Sequence, residues 1–97
     1  MTQKNDVRSE EVDNLLAVFS GMEDQNDIFA FLEDVFTVRE IREISQRLAV
    51  AKLLDSGKSY YEIEQTTGAS ATTIARVSKC LAYGSGGYAK ALEILND

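Results

Sequence analysis

The stretch Tyr60-Tyr61-Glu62-Ile63-Glu64-Gln65-Thr66-Thr67-Gly68-Ala69-Ser70-Ala71-Thr72-Thr73-Ile74-Ala75-Arg76-Val77-Ser78-Lys79-Cys80-Leu81 decides the fold. Ser59 stands three residues before Glu62, the spacing of a capping box, so a short helix opens at Tyr60. Gly68 ends it, because the residue after a helix favours positive φ and glycine accepts that without strain. Ser70 caps a second helix, whose inner face is Ile74, Val77, Cys80 and Leu81 at helical spacing. Two short capped helices around a glycine outline a helix-turn-helix over about residues 59–81. Ile63, Ile74 and Val77 clamp the helices together, and Ala69 and Ala71 keep the turn small. Ser70, Thr72, Thr73, Arg76 and Lys79 face outward. A recognition helix offers its N-terminal residues to base edges in the major groove. Threonine hydroxyls and methyls both find partners there, and Arg76 and Lys79 suit phosphate or guanine. Ser70, Ala71, Thr72, Thr73, Arg76 and Lys79 are therefore the candidate DNA-contacting residues.

Upstream, Thr37-Val38-Arg39-Glu40 repeats the capping-box spacing and opens a longer helix with Ile41, Ile44, Leu48, Ala51 and Leu54, stopped by Gly57. Ser9 and the acids Glu10, Glu11 and Asp13 start a first helix, with Val12, Leu15, Leu16 and Phe19 inward and Gly21 closing it. Asp24 to Asp27 opens a second, carrying Ile28, Phe29, Phe31, Leu32, Val35 and Phe36. Downstream of Gly84-Ser85-Gly86-Gly87 a last helix runs from Tyr88 to Leu95, with Leu92 and Leu95 inward. The expectation is an all-α chain of six short helices, a single domain over 1–97. The second helix is apolar nearly all round, more than one stripe hides. That suggests a homodimer burying it, the alternative being burial within its own core.

Composition narrows the function. The chain has 97 residues, 44% of them apolar, with no proline, no histidine and one cysteine, Cys80. No apolar run approaches a membrane span, and the opening residues are too polar for a secretory signal, so a cytoplasmic protein is expected. Without histidine, and with a single cysteine, the common catalytic and metal sets are unavailable. We expect no enzyme, no metal and no cofactor. The net charge of −6 is unevenly spread. Residues 1–36 carry two basic and nine acidic side chains, whereas residues 37–97 carry eight and seven. From Gln65 to Leu92 there is no acid at all, so an acidic pI does not count against DNA binding by this half. Glu62 and Glu64 oppose phosphate on the first motif helix, leaving Lys58, Arg76, Lys79 and Lys90 to supply the attraction. A second class of function is a helical dimeric adaptor without DNA binding, recruiting a protein through its acidic N-terminal half. The glycine run lacks the lysine and hydroxyl of a phosphate loop and reads as a turn. Cys80 reads as inward and inert, and the tyrosines form no stacking row.

The order of capping box, Arg47, Leu53-Leu54, Gly57, Thr67-Gly68-Ala69-Ser70 and Thr73-Ile74-Ala75-Arg76-Val77, followed by Gly86-Gly87-Tyr88, resembles the trp repressor superfamily, most closely its repressor-related YerC/YecD branch. The resemblance spans roughly residues 31–95. It implies an intertwined homodimer of six-helix subunits that represses transcription by binding double-stranded DNA. In that family two arginines sandwich the indole of a tryptophan corepressor, and a turn receives its amino group; the pattern places these on Arg47, Arg76 and Thr37. The glycine that normally follows the second arginine is Val77 here, and a serine three residues on is Cys80. Both replacements disfavour the same pocket, so free L-tryptophan is not expected as a ligand, and a tryptophan-responsive repressor is the lesser reading. The alternatives are a carboxylate partner for Arg47 and a DNA-backbone contact for Arg76.

Overall fold

A computed structural model describes residues 7–96. Met1–Asp6, the stretch too polar for a secretory signal, and Asp97 lie outside the described residues. Those described form six α-helices and no strand: α1 (Glu10–Gly21), α2 (Gln25–Val35), α3 (Val38–Asp55), α4 (Tyr60–Thr67), α5 (Ala71–Tyr83) and α6 (Gly87–Leu95). No helix among them is long and apolar enough to cross a membrane. The chain divides at Val38 into two compact units.

In the first unit, the Ser9 hydroxyl accepts from the Val12 N–H at 3.2 Å, and the Asp24 carboxylate accepts from the Asn26 N–H at 2.8 Å. These are the N-caps of α1 and α2, each satisfying a donor that a helix start leaves open. Gly21 stays helical and Met22 is the cap, one residue beyond the expected stop. Phe19 and Phe31 meet edge to face, centroids 5.5 Å apart, a favoured aromatic geometry. Neither helix contains a buried residue, and Phe29 is 53% exposed.

The second unit holds the core. Val50 and Ala51 of α3, Ile63 of α4, Ala69 of the turn, Ile74 and Val77 of α5 and Leu92 of α6 form one buried cluster. Leu53, Leu54, Leu81 and Tyr88 pack around it. Ile44 and Leu95, expected inward, are each 49% exposed, while Val50 takes a core position that periodicity does not single out. Ile44 lies about two turns before Ala51, at the end of α3 away from the core cluster. On α6, apolar nearly all round, only Leu92 is buried.

Gly57 ends α3 with φ +84°, while the Lys58 N–H donates to the Leu53 carbonyl and the Gly57 N–H to the Leu54 carbonyl, each at 3.0 Å. This is a Schellman closure, which needs a left-handed residue at that position. Ser59 follows and caps α4 with both halves of the expected box: its hydroxyl accepts from the Glu62 N–H, and the Glu62 carboxylate accepts from the Ser59 N–H at 2.9 Å. That second bond, helped by the Ser59 hydroxyl and Lys58, holds the Glu62 carboxyl below the usual carboxylate range. A carboxyl lowered on folding adds stability above its unfolded pKa and loses it as pH falls through the folded value. Glu62→Gln should therefore be less stable than the wild type at neutral pH, and the difference should narrow in urea melts as the pH is taken below the usual carboxylate range. A gap that persists in acid would place the effect elsewhere.

Candidate nucleic-acid interface

The connection between α4 and α5 is pinned from three sides. Gly68 adopts φ +74° and its N–H donates to the Glu64 carbonyl at 2.9 Å. The Thr67 hydroxyl donates to the Ile63 carbonyl at 2.7 Å and accepts from the Ala69 N–H at 3.1 Å. Gln46 of α3 donates from Nε2 to the Thr67 carbonyl at 3.1 Å. Buried polar groups that find partners hold one geometry and resist others. Ala69 is buried beneath the turn, as its small size requires, whereas Ala71 is exposed. Gln46 does not stand out in the sequence, and Thr67 does so only as the first residue of the Thr67–Ser70 motif. Thr67 carries a faint signal, a hydroxyl one residue before a helix-ending glycine, but a bond across 21 residues has no local signature.

The Ser70 hydroxyl accepts from the Thr73 N–H at 3.2 Å and donates to the Thr73 Oγ1 at 3.1 Å. Thr73 is half-buried and takes part in the cap. Ile74 and Val77 turn inward and are buried. Ser70, Ala71, Thr72, Ala75, Arg76 and Lys79 remain exposed. The outward stripe of α5 thus carries small residues at its N-terminal end and two cations behind them, and α5 contains no acid. Arg76 and Lys79 form no ion pair among the described residues, so their charge is presented to solvent unneutralised. The helix N-terminus adds partial positive charge on the same side. Glu64 is half-buried and Glu62 is held by its cap, both on α4.

The resemblance places a ligand pocket on three residues. Arg47 is half-buried on α3 and Arg76 exposed on α5. Thr37 is exposed and belongs to the first unit. Arg47 makes no ion pair among the described residues, so the alternative of a carboxylate partner is not seen. Val77 is 1% exposed and sits in the core cluster, and Cys80 is half-buried.

This arrangement has relatives. The described residues are all-helical, and the chain belongs to the Trp repressor protein family, whose pattern matches residues 10–96. Within it the chain falls in the YerC branch. It is 40% identical over 91 residues to the uncharacterized protein YerC of Bacillus subtilis (strain 168), covering 94% of this chain and 88% of that one. Its fold is similar to the crystal structure of a candidate Trp repressor from Staphylococcus aureus, with TM-score 0.91, 36% identity and coverage of 99% and 96%. It is similar also to a TrpR-like protein from Eubacterium eligens ATCC 27750, with TM-score 0.90, 38% identity and 96% of each chain covered. The family is regulatory and non-enzymatic.

Proposed function

We propose that this protein is a cytoplasmic, homodimeric transcriptional regulator, a repressor, that reads specific double-stranded DNA through α4, the turn and α5 as a helix-turn-helix. One observation carries the reading: an acid-free helix in a chain of net charge −6 exposes Thr72, Arg76 and Lys79 along a single stripe. The Thr67–Gln46 bonding and the buried Ile63, Ile74 and Val77 make that stripe a rigid probe. Ser70, Ala71 and Thr72 meet base edges, Arg76 and Lys79 meet guanine or phosphate, and Thr73 supports the cap. Selection of bound sites from random duplexes tests this. It should enrich a two-fold site whose halves lie about one helical turn apart; enrichment of no sequence would overturn the reading.

The dimer rests on the under-buried first unit. Phe29, Val35, Leu16 and Val18 are exposed in the single chain, as are Val38 and Ile44 on the first half of α3. Apolar surface on that scale favours a second copy over water. Light scattering at micromolar concentration should return twice the chain's 10.7 kDa; a stable folded monomer would contradict the dimer.

Free L-tryptophan is not the effector in this reading. The Val77 methyls lie in a close-packed core, and forcing an indole against them costs about 1–3 kcal/mol. At 1.4 kcal/mol per decade that weakens a site roughly ten- to hundredfold. Calorimetric titration should give no heat up to millimolar tryptophan, and micromolar binding that also tightens DNA binding would reverse the conclusion. The adaptor reading draws on one feature, the acidic N-terminal half, where residues 1–36 carry nine acidic and two basic side chains. It is separated by salt, because phosphate contacts release counterions and an adaptor has none to release.

A further inference from the structure

Two clefts run along the seam of α3 and α4 and meet at Leu53 and Thr66. The larger, about 660 Å³, is lined by the apolar Ile41, Ala49 and Leu53 and by the cations Arg42 and Lys52. No acid lines it. The smaller, about 270 Å³, adds Lys58 and Tyr61, and its one carboxylate, Glu62, is already bonded to Ser59. Of the acids on α3, Glu43 pairs with Arg39 at 3.2 Å, Glu40 has its own partner, and Asp55 lines neither cleft. Arg42 and Lys52 pair with no carboxylate among the described residues. The groove is therefore cationic and apolar together, in a chain that is acidic as a whole.

Dimensions select the occupant. Arg42 and Lys52 lie ten positions apart on α3, about 15 Å along the helix axis. A single small carboxylate does not bridge that span, whereas an acidic helix of three turns does. A nucleic-acid strand would use the cations but leave the apolar lining without a partner. No residue of α5 lines either cleft, so the groove shares none of the proposed base-contacting residues. We infer that the α3–α4 groove is a docking site for an acidic, amphipathic α-helix of a partner protein. Its leucine-like face covers Ile41, Ala49 and Leu53, and its carboxylates meet Arg42 and Lys52. Such helix-in-groove recognition reads anchors at helical spacing.

The test uses the full-length protein without DNA and a fluorescein-labelled synthetic helix of about four turns, leucines on one face and glutamates on its flanks. A second peptide carries glutamine for every glutamate. The acidic peptide should raise anisotropy on binding at micromolar protein, and the neutral one should not. Reversing both charges, Arg42→Glu with Lys52→Glu, should weaken binding at least about tenfold, and Arg42→Ala with Lys52→Ala should weaken it less. Circular dichroism must show unchanged helix content in both variants, and the milder pair serves alone if the reversal unfolds. Arg76→Ala with Lys79→Ala should leave the affinity as it is. Equal binding of the neutral peptide, or loss of binding with the α5 variant, would overturn the assignment. So would absence of binding to the wild type, as expected if a second copy covers the groove, or loss of duplex binding in the Arg42/Lys52 variants, which would make it a phosphate surface. Failure of DNA binding altogether would not affect the peptide result, so the two proposals fail separately.

Discussion

Ile74→Ala should destabilise the protein by about 2–5 kcal/mol, the range for removing a large aliphatic side chain from a packed core. Ile74 is fully buried on the inner face of α5, in one cluster with Ile63 and Val77. The substitution removes three carbons from the place where α4 is held against α5, and the fixed turn around Gly68 gives the helices little freedom to close the gap. Domains of this kind are stable by only about 5–15 kcal/mol, so much of the stability is lost at one position. Urea melts followed by circular dichroism measure it. Tyr83→Ala, at the 85% exposed end of the same helix, is the control and should change stability by less than about 0.5 kcal/mol. Equal effects at the two positions would mean that the cluster does not hold the helices together.

Arg76→Ala combined with Lys79→Ala should cut affinity for a selected DNA site by tenfold to a thousandfold while leaving helix content intact. A bidentate base contact by Arg76 is worth about 1–3 kcal/mol. Lys79 as a phosphate contact contributes mainly through counterion release, so its loss should flatten the salt dependence by about 0.9 in log–log slope per contact. Each dimer loses every contact twice. Neither side chain forms an ion pair among the described residues, so their removal leaves no orphaned carboxylate and the stability of the free protein should hardly move. Thr72→Ala, by contrast, should shift base preference more than overall affinity, because its hydroxyl and methyl discriminate bases without carrying charge. Fluorescence anisotropy on the selected duplex and a scrambled one separates these outcomes. A double variant that binds both duplexes as the wild type does would remove α5 from the interface.

Local devices are the legible part of this fold. The caps at Ser9, Asp24, Ser59 and Ser70 are each set by a side chain and an N–H two or three residues away, and all four form as the sequence implies. Ile63, Ile74 and Val77 are legible because α4 and α5 are short and each offers one apolar stripe. The α3 helix is harder. It carries apolar residues on a broad arc, and whether Ile44 or Val50 is buried depends on where α4 to α6 lie along it, which periodicity does not encode. Leu95 departs from expectation for a related reason, since α6 has more apolar positions than the core has room for. Thr73 has two uses after a serine cap, and the bond to Ser70 is one that the outward pattern alone does not reveal. The Gln46–Thr67 bond joins elements far apart in sequence and leaves no trace in local pattern. For the ligand positions Arg47, Arg76 and Thr37, the sequence carries identities but not proximity.

Sequence-specific duplex binding through α5 is tested by a salt titration of the wild-type protein on its selected duplex and on a scrambled duplex of equal length. Binding to the selected site should be tighter at every salt concentration, with a stoichiometry of two chains per site. On both duplexes log affinity should fall steeply and linearly with log salt. Equal affinity for the two duplexes, or affinity that does not change with salt, would contradict DNA reading by this helix.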